Sequence, residues 1–482
     1  MKKTKKNPKW GQIYDNIYGF IRLTKTEEEI INSSFYQRLR WIKQLGFASY
    51  IFPGAEHTRF AHAIGAMHMA DQVIRSLGKH VPDEALFDLS EQGEATRFHR
   101  ACRLAALLHD IGTFPFSHSI EESYIRYGHK LQKHGQLPGK KLPNNHEHLG
   151  SFIIKNTDYA GGITHTLKAG GIDPHLLSKF VKGESDNLLA NQILHSDLDA
   201  DRMDYLVRDA HHTGIKYGHI DRDYILYHLT IFKAPNGKEA MAIGHKGVHA
   251  VEDFLLARFA WYSQVVKNPS SAKFDVLAAH IASYLIENGH IYRFHELLKM
   301  VEDQPETFFT FNDVYYMGVV QNLYLNSRNL DPIIKEQMQM LIYRKAPVTL
   351  RLPEFEHRIF ENGLKKNSQK EALIDKIHNR VQGIHKLIKK HGNGTEWIIV
   401  DLPSKDVIFT KGSNSCSKKR RESILLDRDP IKVVDSKGRA EVLAGVENTL
   451  LNKLAPFANF IPNLYGNQAA AKLLEKHGLL RG

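Results

Sequence analysis

The stretch LLHDIGTFPFSH, Leu107 to His118, decides how this chain is read. An apolar run ends with His109 and Asp110 side by side, then breaks into a turn that contains Gly112 and Pro115 and delivers His118. The longer segment RFHRACRLAALLHDIG (97–112) has the apolar density of a buried helix, stopped by Gly112 and the later Pro115. Polar groups at the end of a core helix are costly unless they are paired or bind a metal. Neighbouring residues lie about 100° apart around a helix axis, but a fraying last turn lets both aim at one ion.

Other segments supply partners for that pair. EEEIINSSFYQRLRWIKQLG (27–46) places Ile30, Ile31, Phe35, Leu39, Ile42 and Leu45 at helical spacing, and AHAIGAMHMADQVIRSL (61–77) repeats the pattern. In HTRFAH, His62 follows Arg59 by three residues. Read as a helix, the acid-rich stretch HSDLDADRMDYLVRDAHH (195–212) puts Asp201, Tyr205 and Arg208 or Asp209 on one face. Its plainer reading is an exposed acidic face steadied by an Asp204–Arg208 pair, although Leu206 and Val207 require a buried side as well. Taken singly, each histidine is an ordinary core or surface residue. Taken together, two imidazoles (His62, His109) and two carboxylates (Asp110, Asp201) form a mixed N/O set suited to a divalent ion, whether Mn, Mg, Fe, Zn, Co or Ni.

At 482 residues, and at about 150 residues per domain, the chain has room for two or three units. Residues 1–290 read mostly as helices, with a hairpin in which LTIF and AMAIG flank the turn PNGK at 235–238. The polar, Gly/Pro-broken segment GHKLQKHGQLPGKKLPNN (128–145) reads as a loop or lid. A helical extension fills 291–390. Residues 391–482 form a small α/β region in which TEWIIVDL, DVIFT, IKVV and AEVLAG read as short strands. Between them SCSKKRRES (415–423) reads as a solvated loop, with a nucleotide or nucleic-acid contact as the alternative. The fold class expected is mainly α, with a short β-hairpin and a small mixed α/β C-terminal region.

The formal charge of +12 and pI near 9.3 favour anionic partners. Only Cys102 and Cys416 are present, which excludes a disulfide framework and a paired-cysteine zinc site and fits a reducing cytoplasmic compartment. The basic start MKKTKKNPKW is followed by no apolar signal region, and no window approaches about 18 apolar residues. A soluble chain without a membrane partner is therefore expected.

The order and context of these residues resemble the HD-domain phosphohydrolases. The likeness is greatest to the deoxynucleoside triphosphate triphosphohydrolase group, which includes the vertebrate sterile-alpha-motif/HD enzyme and bacterial relatives. It runs from IYGFIRLT and FYQRLRWIKQLG through FPGAEHTRFAHAIG and LLHDIGTFPFSH to DADRMDYLVRDAHHTGI, within residues 10–290. The resemblance implies an HD-type helical core and a metal held by His62, His109, Asp110 and Asp201. It assigns phosphate contacts to Arg59 and Tyr205, and to Arg202 and Arg258 by analogy. It assigns the sugar hydroxyl to Gln44 and Asp209. His118, Glu121 and His146 take the place of the polar residues associated with catalysis, with Glu121 orienting the two histidines. The chain departs from the group at Thr113, where a second histidine is common, and at Arg202, where lysine is common.

The function this implies is metal-dependent hydrolysis of dNTPs to deoxynucleoside and inorganic triphosphate. By analogy it carries a nucleotide activator and a homo-oligomer, either tetramer or hexamer. One alternative is a phosphodiesterase or nuclease acting on cyclic nucleotides or single-stranded nucleic acid, with His118 and His146 ligating a second metal. The other is a non-enzymatic module that binds nucleotides or nucleic acid.

Overall fold

Three helices surround the motif. Glu94–Leu108 buries Cys102, Leu104, Ala105, Leu107 and Leu108, and it packs along Arg59–Ser76, which in turn packs on Ala200–Thr213. The computed structural model describes residues 11–88, 90–133, 144–361, 364–402, 407–410, 423–454 and 457–480. It is mainly helical with small sheets, as the sequence predicts.

Several boundaries differ from the sequence reading. The helix through the HD motif ends at Leu108, so His109 is its C-cap and Asp110 lies in the following turn. The helix expected over 27–46 is broken into Lys25–Asn32, Ser34–Gln37 and a 3-10 turn Arg38–Trp41. Ser33 causes the break: its hydroxyl donates to Ile30 O and accepts from Tyr36 N–H, ending one helix and capping the next. The expected loop 128–145 is helical up to Lys133, because His118–Lys133 continues its amphipathic pattern. Residues 134–143 lie outside the described residues, as does the basic stretch 415–423 except Ser423.

The turn after Asp110 adopts backbone that few residues tolerate. Phe116 (φ 51°) and Ser117 (φ 56°) are both left-handed, a conformation costing of order 1–3 kcal/mol each for non-glycine residues. The surroundings hold it. Asp313 Oδ1 accepts from Phe116 N–H at 2.6 Å, Ser117 Oγ donates to Lys43 O at 2.6 Å, and Phe116 stacks on Phe47 at 4.2 Å. The fully buried Arg38 donates to Ile111 O, Thr113 O and Phe311 O at 2.8–2.9 Å. Gly112 is fixed by space: a Cβ there would stand 2.2 Å from both Gly150 N and His146 O, so its absence admits the helix His146–Asn156.

The predicted hairpin is present as strands Leu229–Lys233 and Glu239–Gly244, but it is half of a larger sheet. Lys432–Val434 pairs parallel to it, Ile243 against Val433, and Ala440–Val442 completes four strands. Ile431 and Val433 thereby join the same apolar core as the N-terminal helices. Two three-stranded sheets formed by 348–349, 398–401 and 463–466, and by 358–361, 407–408 and 457–460, cover the long helix Leu364–His391 around a second core. Among the described residues no helix is long and apolar enough to cross a membrane.

Candidate metal centre

His62 stands at the middle of the site. It is fully buried on Arg59–Ser76, and its Nδ1 donates to Asp204 Oδ2 at 2.8 Å. In the neutral ring that bond leaves Nε2 as the lone-pair nitrogen. Nε2 points at Asp201 Oδ1, 3.0 Å away, and at Asp110 Oδ2, 3.8 Å away, yet it is buried without a hydrogen-bond partner. His109 is fixed by a bond from its Nδ1 to Ala106 O at 2.7 Å, so its Nε2 also faces inward, 3.4 Å from Asp110 Oδ2 and 3.7 Å from Asp201 Oδ1. His62, His109 and Asp201 bring one ligand atom each within 4.8 Å of one another.

The electrostatics ask for a cation. Burial alone would lower the His62 pKa, but Asp201 and Asp204 outweigh it and push it up to about 10. Burial would raise Asp110 and Asp201. The Arg59 guanidinium and the two imidazoles hold Asp110 well below the usual carboxylate range, and His62 with His109 does the same to Asp201. A proton on His62 occupies the place a divalent ion would take. The donor set, the orphaned Nε2 and this charge balance together fit a divalent metal.

Two residues expected only as an exposed ion pair, Asp204 and Arg208, hold the candidate ligand His62 from behind. Asp204 lies beneath His62 and fixes its tautomer. The buried Arg208 grips both oxygens of Asp204 at 2.9 Å and ties it to Asp15 at 2.9 Å and Asn16 at 3.2 Å, where the antiparallel strands Gly11–Asp15 and Gly19–Leu23 turn. The pair foreseen as an exposed face is thus buried behind the candidate metal ligand His62. Gly65 makes room for it, since a Cβ there would lie 2.0 Å from Asp204 Oδ1. The D-x-x-D spacing of Asp201 and Asp204 is the sequence signal that could have revealed it. Asp204→Asn is expected to weaken metal affinity by about 10- to 100-fold, the usual loss when a ligand's own partner is removed, as read by titration of Mn2+.

The other predicted residues fall into smaller groups. Arg59 is buried and spends its guanidinium on Asp110 (2.7 Å) and Ser117 Oγ (3.0 Å). Thr113, the departure from the family pattern, is buried with its hydroxyl 3.3 Å from the other oxygen of Asp110. Glu121 joins His118 and His146, accepting from each Nδ1 at 2.7 Å and from the His146 N–H at 2.6 Å. Burial would lower His146, but Glu121 prevails and pushes it up to about 9. The His118 side chain is 68% exposed, so its Nε2 side is open to an arriving ligand.

Tyr205 stacks on Trp261 at 4.5 Å. Trp261 Nε1 donates to Asp209 Oδ2 at 2.8 Å, and His57 Nε2 lies 2.7 Å from Asp209 Oδ1. Gln44 is buried, bonded through its backbone N–H to His57 O at 3.0 Å, with its side-chain Oε1 unpartnered. His57, Asp209 and Trp261 therefore form one hydrogen-bonded group, to which Gln44 is joined through its backbone. Arg202 pairs with Asp199, which caps the helix Ala200–Thr213, and Arg258 pairs with Asp197 at 2.9 Å.

Residues 59–209 match the family profile described as HD domain, and the chain contains an HD domain over that stretch. Among curated proteins it is 32% identical over 316 residues to an uncharacterized protein of Methanocaldococcus jannaschii, covering 65% of this chain and 58% of that one. It is 28% identical over 229 residues to the deoxynucleoside triphosphate triphosphohydrolase SAMHD1 of Homo sapiens, covering 42% of this chain and 33% of that one. The chain thus spans little more than half the length of the first of these relatives and a third of the second. Its fold is shared with a phosphohydrolase from Bacteroides thetaiotaomicron, at a TM-score of 0.63 and 20% identity over 95% of this chain and 100% of that one. A hypothetical protein from Aquifex aeolicus matches similarly, at a TM-score of 0.64 and 23% identity over 96% and 100%.

Proposed function

We propose that the chain is a metal-dependent hydrolase that cleaves deoxynucleoside triphosphates to deoxynucleoside and inorganic triphosphate. The observation that carries this reading is the buried, unpartnered Nε2 of His62, aimed with His109 at Asp201 and Asp110 beside a hydrogen-bonded His–Glu–His cluster. The 28% identity to a protein named for that reaction supports the substrate class.

His62, His109, Asp110 and Asp201 would hold the ion. When bound, a divalent ion supplies Lewis acidity, polarising a phosphoryl oxygen and lowering the pKa of water. The protein contributes position and charge. Arg202, Tyr205 and Arg258 line the phosphates, while Gln44 and Asp209 take the sugar hydroxyl. A water oxygen bonds to the α-phosphorus and sheds a proton to solvent, the bond from α-phosphorus to the 5′-oxygen breaks, and that oxygen leaves as the nucleoside hydroxyl once it takes a proton from an acid that solvent then reprotonates. The His118–Glu121–His146 cluster supplies this proton, since both imidazoles are oriented by one carboxylate.

A pH dependence follows. His146, raised to about 9, keeps its proton below that pH and loses it as pH rises through it. Turnover is expected to fall on that alkaline limb. Glu121→Gln removes the carboxylate that holds the proton, so the limb should move to lower pH in a profile of kcat/KM.

The deciding experiment incubates the full chain with each of the four dNTPs and with ribonucleotides, with Mn2+ or Mg2+ and with a chelator. Metal-dependent release of inorganic triphosphate is the expected result, and no product from any triphosphate overturns the reading. Monophosphates from cyclic nucleotides or single-stranded nucleic acid, with two metals per chain, would assign His118 and His146 to a second ion. Nucleotide binding without turnover of any of these would leave the binding module.

A further inference from the structure

Phe409 and Thr410, some 150 residues beyond the helix that carries Arg258, lie against the segment that leads into the metal aspartate. Phe409 stacks on Phe259 with ring centres 4.2 Å apart, and its carbonyl accepts from Arg258 Nη2 at 2.6 Å. Thr410 Oγ1 donates to Asp197 Oδ2 at 2.8 Å, while Asp197 Oδ1 accepts from Arg258 Nη1 at 2.9 Å. Asp197 is fully buried, and its backbone N–H donates to Asp429 O at 2.9 Å.

Asp197 precedes Asp199 and Asp201 on one short segment, and Arg258 stands one helical turn before Trp261, which stacks on Tyr205. The guanidinium is thus anchored beside the proposed phosphate-binding tyrosine. A guanidinium has five N–H donors in a rigid plane. Bonds to Asp197 and to the Phe409 carbonyl fix that plane and leave further N–H groups for a ligand. An arginine held this way loses little rotamer freedom when it binds an anion, which is how a fixed fork gains affinity.

We propose that Phe409 and Thr410 are positioning residues, and that this C-terminal segment completes the phosphate site by holding Arg258 in place through Asp197. The inference rests on the reading above only in taking the ligand to be a polyphosphate. Its readout is therefore binding rather than turnover.

The test measures inorganic tripolyphosphate binding to the full chain by calorimetry, for the unaltered protein, Thr410→Val, Thr410→Ser, Arg258→Lys and the Thr410→Val/Arg258→Lys double variant. Thr410→Val is expected to weaken binding by about fivefold to tenfold, the scale of one ordinary hydrogen bond lost behind the arginine, and Thr410→Ser to restore it. In the double variant the threonine change should add little to the loss from Arg258→Lys, because coupled residues are not additive. If Thr410→Val does not fold, Thr410→Ala serves in both backgrounds. Unchanged binding in the threonine variant, additive losses, or no tripolyphosphate binding by the unaltered chain would overturn the proposal. Coupled binding in a chain that turns over no dNTP would overturn the proposed function and leave this inference standing.

Discussion

Asp201→Ala is expected to lower turnover by about a hundredfold to a thousandfold, the scale seen when an electrostatic group acting on the transition state is removed. Asp201 presents the oxygen that faces both inward imidazole nitrogens, 3.0 Å from His62 and 3.7 Å from His109. Neither neighbouring carboxylate can take its place: Asp110 would itself hold the ion through the oxygen it shares with Arg59, and Asp204 lies on the far nitrogen of His62. The variant should remain folded, since Asp201 is a partly exposed residue near the start of its helix whose N-cap, Asp199, is untouched. Metal content and melting temperature measured together make the case. The unaltered chain should gain stability with added Mn2+ as a ligand that binds only the folded state, and Asp201→Ala should lose that gain. A variant that kept both metal and turnover would remove Asp201 from the centre.

Much of this site was legible because its residues violate the pattern around them. His62, His109 and Asp110 interrupt segments whose periodicity demands burial, so sequence alone raises the question of what pays for them. The supporting network was less legible. Asp204 and Arg208 look like an ordinary surface i,i+4 pair, and only the position of Gly65 against them shows why they are inside. Local pattern also misplaced helix ends. Periodicity carries on through Ser33, whereas its hydroxyl ends one helix and starts another. The engagement of Arg258 by Phe409 was beyond sequence reasoning, because it joins residues 151 apart through a backbone carbonyl, which has no side-chain signature. The parallel pairing of Lys432–Val434 with the hairpin is hidden for the same reason: strand partners across such a separation leave no local trace.

Arg38→Ala should be the most damaging single change to the fold away from the ligands, costing about 3–5 kcal/mol. The side chain is fully buried and its two terminal nitrogens serve three backbone carbonyls, two in the turn after the HD pair and one at Phe311. Removing it strands those acceptors without water and leaves a cavity beside Phe308, over whose ring the guanidinium lies at 4.7 Å. Arg38 is the side chain that serves both Ile111 O and Thr113 O, and the turn already carries two left-handed residues. Arg38→Lys should recover only part of the loss, because one ammonium cannot reproduce a planar fork that spans the three carbonyls. A large fall in melting temperature for alanine, partial recovery for lysine, and faster amide exchange at Ser117 and Ser119, whose N–H groups close the turn on Phe114 O and Phe116 O, is the expected pattern. An alanine variant as stable as the parent would mean that the strained turn holds itself. The hold on the turn between the HD pair and His118 would then lie in the Asp313 and Ser117 bonds.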